Sequence, residues 1–236
     1  MKLRKSGFFQ KFQILPQKKI AFTLAEVLIT LGIIGIVAAL TIPTLIVNTR
    51  NHVVETRLKK FYSTMNQAVL RSKADNGDVS GWFEDISGTS TAQREKRNEF
   101  FMQYIGKYLN IVKTEEYSMW TIYYLPEGSS FSLISPHANG RDWMFSPGDL
   151  KLCLQQNQNI CKNIMGSCAF AFIFSSAGNG HFRAYDYAWT GTEDSLKNST
   201  SLGCYSSSGW PAYCTRLIQY NGWKIPDDYP YRLKIY

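Results

Sequence analysis

No acidic residue precedes Glu26 in this chain, and no charge of either sign falls between Glu26 and Arg50. Histidine is scarce, at three in 236 residues (His52, His137 and His181), and no cysteine precedes Cys153. The sequence also lacks G-x-S-x-G, a P-loop, G-x-G-x-x-G, H-E-x-x-H and C-x-x-C. Without these motifs there is no local signature for acyl transfer, nucleotide binding, zinc-dependent hydrolysis or thiol exchange. Scattered histidines give a Cys–His catalytic pair nothing to stand on. The Cys153-x7-Cys161-x6-Cys168 spacing is too loose for a structural zinc site, so disulfides are the expected use of these cysteines. Asp75-Asn76-Gly77-Asp78 lacks the alternation of a calcium loop and reads as a helix stop. Neither enzymatic activity nor a cofactor is expected.

The net charge of +8 is placed unevenly. Lys2, Arg4, Lys5, Lys11, Lys18 and Lys19 contribute six bases before Ala21, which leaves 26 − 6 = 20 bases against 18 acids in the remainder. Basic charge ahead of an apolar run is a topology signal and not a phosphate-binding face, so no nucleic-acid partner is expected. Val27 to Thr49 would span about 35 Å as a helix, enough to cross a hydrocarbon core of roughly 30 Å. Positive charge stays cytoplasmic, which places the N-terminus inside and everything after Arg50 outside. Arg50, Arg57, Lys59 and Lys60 weaken that bias without reversing it. All five cysteines (153, 161, 168, 204 and 214) then lie on the outer side, as suits an oxidising compartment. Five is odd, so at most two bridges form within one chain, and Cys204 with Cys214 is the expected pair.

A secretory signal peptide has a shorter apolar core followed by a small-x-small cut site, and no such site appears before Pro43. A plain signal anchor fits length and charge but leaves Glu26 unexplained. Lys18-Lys19-Ile20-Ala21-Phe22-Thr23-Leu24-Ala25-Glu26 resembles the processing site of type IV prepilins and type II secretion pseudopilins. That resemblance implies cleavage between Ala21 and Phe22 by a prepilin peptidase, N-methylation of Phe22, and a filament-assembly role for Glu26 at the fifth mature position. Ala21 stands where glycine is usual in the family, and the leader is longer than many. Pro43 falls where pilins often interrupt the helix, and Gly32 and Gly35 allow close helix contact. An isolated glutamate would otherwise be read as satisfied by headgroups or by its own helix N-terminus.

Beyond Pro43, Val47, Val54, Leu58, Phe61, Met65 and Ala68 form an apolar seam on one helix face. Arg50, Glu55, Arg57, Lys59 and Lys60 form a solvated side. The seam is short for a coiled coil, so burial against the chain's own sheet is expected. One helix from about Phe22 to Asp75 results, then an amphipathic helix over Thr91 to Asn110. Strands are expected over Ser118 to Leu125, Ser130 to Ser135, Cys168 to Phe174 (apolar on both faces, hence central) and His181 to Trp189. A short helix is expected around Tyr213 to Gln219. The fold class is α+β: a long N-terminal helix packed on an antiparallel sheet, which the resemblance makes pilin-like. Six tryptophans serve mainly as core, with Trp143 and Trp210 as candidates for a surface role.

The expected organisation is a basic leader (1–21), a membrane or filament-core helix (22–49), its amphipathic continuation (50–75) and a periplasmic head (76–236). The expected function is a filament subunit, of the minor kind, anchored in the bacterial inner membrane before assembly. Its implied partners are the prepilin peptidase, other pilin or pseudopilin subunits, the inner-membrane assembly machinery and membrane lipid. The competing expectation is a tethered periplasmic binding or adhesion protein that does not polymerise.

Overall fold

From Val54 onward one apolar face of the long helix enters a core. A computed structural model describes residues 22–82, 88, 90–134, 142–158, 161–174, 180–206 and 209–236. Helix α1 (Leu24–Asn76) is 53 residues long and runs through Pro43. The chain divides into two compact units, residues 1–45 and 46–236. In the first unit every described side chain is exposed except that of Ala38, which is half-buried. Among the described residues, α1 is the one helix long and apolar enough to cross a membrane.

The second unit is α+β. Six strands are described: β1 (Lys113–Tyr117), β2 (Trp120–Tyr124), β3 (Ser130–Ile134), β4 (Asp142–Ser146), β5 (Phe170–Phe174) and β6 (Phe182–Ala184). They form one antiparallel sheet in sequence order, so each strand pairs with the next. Side chains alternate between faces along each strand. Phe131, Leu133, Trp143, Phe145, Phe170, Phe172 and Phe174 face one core together with Val54, Leu58, Phe61, Met65, Ala68 and Val69 of α1. Ile122, Ile134, Met144, Ala171 and Ile173 face a second core. That core is closed by α3 (Leu150–Gln155), α4 (Cys161–Ile164), α5 (Glu193–Asn198) and α6 (Cys214–Tyr220). The sheet is therefore covered on both faces.

The seam of α1 packs on the sheet as the heptad-like spacing predicts, but it begins at Val54. Val47 remains 46% exposed. The side expected to be solvated is instead largely used to hold the head. Glu55 accepts from Lys224 Nζ (2.7 Å) and from the Ile225 backbone N–H (3.0 Å). Arg57 donates to the Pro147 carbonyl, Arg50 to the Leu233 carbonyl (3.1 Å), and Lys60 pairs with Glu127 (3.2 Å). Lys59 and Lys60 are the two of the five that stay exposed, Lys60 while paired with Glu127. The helix stops where predicted: Gly77 takes φ +77°, a left-handed cap that favours glycine, and its N–H donates to the Lys73 carbonyl (3.0 Å).

Helix α2 (Thr91–Tyr104) is capped by the Ser90 hydroxyl, which accepts from the Gln93 N–H. It ends sooner than its pattern suggests, because Ile105 leaves helical geometry and a 3-10 turn follows over Gly106–Tyr108. The strand expected over His181 to Trp189 is confined to Phe182–Ala184. The chain turns at Asp186, whose carbonyl accepts the Trp189 N–H (3.1 Å), and Ala188 adopts a positive φ. Gly128, at φ +80°, closes the β2–β3 turn as the Pro126-Glu127-Gly128 signal implies.

Phe61 joins helix to sheet. Its ring stacks on Phe145 (4.3 Å), meets Phe172 and Phe182 edge-on (5.2 and 5.5 Å), and tilts over Phe131 (5.2 Å). Phe61→Ala is expected to lower unfolding free energy by about 3–5 kcal/mol, as for other buried aromatics. Denaturant titration of the detergent-solubilised full chain, followed by tryptophan fluorescence, measures it; a loss below about 1 kcal/mol would mean the helix is seated elsewhere.

Candidate functional site

The residues singled out by sequence do not converge on one place. Ala21 and His137 lie outside the described residues. Phe22 is exposed just ahead of α1, and Pro43 is an interior residue of that helix. A Cβ added to Gly32 or Gly35 would meet nothing within 4 Å, so both leave open space along the apolar helix. Trp143, a candidate for the surface, is 0% exposed. It sits on the α1 face of β4 among Phe101, Phe131 and Phe182, so that assignment is overturned. Trp210 is half-buried and edge-on to Tyr185 (5.2 Å). His52 and His181 are both exposed.

The N-terminus of α1 is the organised element. Glu26 Oε2 accepts from the Thr23 backbone N–H and from Thr23 Oγ1, each at 2.8 Å, while the Glu26 N–H donates to Thr23 Oγ1 (3.2 Å). Thr-x-x-Glu in this arrangement is a capping box, which satisfies two otherwise orphaned N–H groups at the start of the helix. Sequence reading missed it, although the T-x-x-E spacing ahead of an apolar run was its signature. Both Thr23 donors use Oε2. Oε1 accepts nothing among the described residues, so the cap leaves one carboxylate oxygen open.

Asp75 and Asp78 are engaged structurally. Asp75 accepts from the Tyr108 hydroxyl (2.5 Å), and Asp78 caps a 3-10 turn by accepting from the Ser80 N–H (2.9 Å). Cys204 is bonded to Cys214, as expected, and Cys153 to Cys168. The first bridge ties the segment after α5 to the start of α6; the second ties α3 to the residues leading into β5.

The densest charge cluster crosses the sheet's β1 edge. Glu115 accepts from Lys113 Nζ (2.7 Å) and from Lys151 Nζ on α3, and Tyr124 Oη lies 3.2 Å from both Glu115 and Asp149. The hydrogen bonds from Lys113 and Lys151 hold the Glu115 carboxyl down at about 2. Tyr124 is pushed the other way by burial and by the two neighbouring carboxylates. This cluster links an edge strand to a helix.

Residues 44–233 match the family described as "Family of unknown function (DUF6613)", and the chain belongs to that family. No curated protein and no solved structure matches it. The matched span begins one residue after Pro43, so it takes in the amphipathic half of α1 and nearly all of the head.

Non-reducing peptide mapping should recover Cys153 joined to Cys168 and Cys204 joined to Cys214. Replacing Cys204 and Cys214 together by serine is expected to cost about 2–4 kcal/mol of stability in denaturant titration. The Glu115 pairs predict an acid dependence. A carboxyl lowered from 4.5 to about 2 contributes stability that is full above pH 4.5 and is lost as pH falls towards 2. Comparing acid titrations of the wild type and Glu115→Gln should show that portion missing in the variant; superimposable curves would contradict it.

Proposed function

We propose that this protein is a structural subunit of a type IV pilus-like or type II secretion-like filament, made as a single-pass membrane precursor. The observation that carries the reading is a conjunction in the first 49 residues: basic leader, Ala21-Phe22 junction, Glu26, and an uncharged run to Thr49. A long helix whose second half packs on an antiparallel sheet supports a pilin-like arrangement. Two disulfides support a head exported to an oxidising compartment. The N-terminus is then cytoplasmic, and the head periplasmic until assembly.

Prepilin peptidase removes residues 1–21, and Phe22 becomes the methylated first residue. The Glu26 carboxylate has two tasks that do not compete. Oε2 holds the capping box, and Oε1 is left to meet the cationic N-terminus of a neighbouring subunit. In a low-dielectric bundle that attraction is several-fold stronger than in water, and it fixes the axial register of the incoming subunit. Removing one partner of such a buried pair costs about 3–5 kcal/mol.

The N-terminal peptide mass of the membrane-expressed chain, with and without a prepilin peptidase, is the first test. A chain beginning at methylated Phe22 is expected only with the peptidase. Glu26→Leu should then leave membrane insertion intact and reduce filament yield by about a hundredfold or more. A chain that still begins at Met1 with a well-matched peptidase, and whose Glu26→Leu variant behaves as wild type, would leave a tethered periplasmic binding protein as the reading.

A further inference from the structure

A pocket of about 270 Å³ opens in the head between α1 and the C-terminal segment. The helix supplies Arg50 and Asn51; the segment supplies Asp227, Tyr229, Tyr231 and Arg232. Oppositely charged side chains sharing so small a space would ordinarily pair. Among the described residues, neither arginine nor the aspartate enters any ion pair. Their charges stand available to a ligand. The walls are fixed independently of one. Arg50 donates to the Leu233 carbonyl, Ser167 Oγ donates to the Arg232 carbonyl (3.0 Å), and the Lys234 N–H donates to the Ser167 carbonyl (3.1 Å). Tyr229 spends its hydroxyl on the Gly166 carbonyl (2.8 Å), so its ring is what it offers, 6.0 Å from that of Tyr231.

We propose that this pocket binds the headgroup of a phosphoethanolamine lipid, with the phosphate on Arg50 and Arg232 and the ammonium on Asp227 and the tyrosine rings. Guanidinium forks match phosphate oxygens in geometry and charge. An ammonium gains both a carboxylate and aromatic faces. A headgroup with the phosphate but no ammonium would meet the same arginines and leave Asp227 and the tyrosine faces without a cation, and that lost pairing provides selectivity. The volume falls just short of the roughly 300 Å³ at which small-molecule pockets begin, so it suits a headgroup without its acyl chains. A lipid source follows from position in the chain. Arg50 is the first charge after the uncharged run, where a spanning helix meets the interface. The proposal rests on the membrane-inserted part of the reading above and not on filament assembly.

The full-length chain is reconstituted with equal phosphatidylethanolamine and phosphatidylglycerol, extracted in mild detergent, and its retained phospholipid counted by native mass spectrometry. Phosphatidylethanolamine should be retained over phosphatidylglycerol by about tenfold. Arg232→Gln, which loses no hydrogen bond within the protein, should lower retention of both lipids by about tenfold. Asp227→Asn should erase the preference while keeping phosphatidylglycerol bound. Equal retention of the two lipids by the wild type, a preference that survives both substitutions, or no retained lipid would overturn the proposal. Soluble O-phosphoethanolamine separates the sources: if it binds while the lipid does not, the lipid assignment is wrong. A chain that inserts but never assembles would sink the filament reading and leave this result standing. A processed, assembling chain without lipid selectivity would do the reverse.

Discussion

Phe61 is the contact on which the head depends. It is one residue of α1, yet its ring touches aromatic side chains from β3, β4, β5 and β6. A sheet this rich in phenylalanine on one face needs a helix with an aromatic seat, and a helix apolar at one stripe needs a sheet. Leu58 and Met65 flank the seat at helical spacing, and α2 closes one side through Phe101, whose ring meets Tyr123, Phe131 and Trp143. Arg57, Glu55 and Lys60 then pin the same helix to loops around the sheet. The helix is thus an inseparable part of the head's core from Val54 onward.

The first half of the helix has the opposite property. Between Phe22 and Leu45 every described side chain except the half-buried Ala38 is exposed, and none carries charge after Glu26. An apolar surface of that extent cannot stay in water, so lipid or other apolar helices must cover it. A single membrane span and a filament core both supply such cover. In the proposed filament reading Glu26 distinguishes them: a capped carboxylate with one oxygen open among the described residues is tolerated at a membrane edge, and would gain a cationic partner in a bundle.

Where one face was buried and the other was not, the pattern could be read from sequence. The α1 seam, the Gly77 stop and the β2–β3 turn follow from period and punctuation, and the interior strand β5 from its continuous apolar run. Two strands escaped for physical reasons. β1 reads Lys-Thr-Glu-Glu-Tyr, an edge strand whose charges protect its open side and hide any apolar alternation. β4 is buried on both faces, so Asp-Trp-Met-Phe-Ser shows no alternation at all. Helices α3 and α4 are too short for a helical period to emerge. Trp143, a candidate for the surface, lies on β4, and the sheet places it within a core. The capping box at Thr23 was legible and was masked by the stronger reading of Glu26.

In the filament reading proposed above, the charges at Arg50, Asp227 and Arg232 bear on how a subunit would leave the membrane. If the proposed headgroup is held there, it would tie the head to the bilayer surface while the helix remains in lipid. Filament entry, in the reading proposed above, would remove the helix from lipid and so release the headgroup in the same step. On that reading two opposing charge interactions would govern one transfer: the lipid phosphate at Arg50 and Arg232 would favour the membrane state, and the carboxylate at Glu26 would favour the bundle. Each is local, and they lie at opposite ends of the uncharged run. A conformational change in the head is unnecessary for such a switch. Its balance is set by which partner, lipid phosphate or neighbouring N-terminus, binds more tightly, and a ligand shifts an equilibrium only by its differential affinity for the two states.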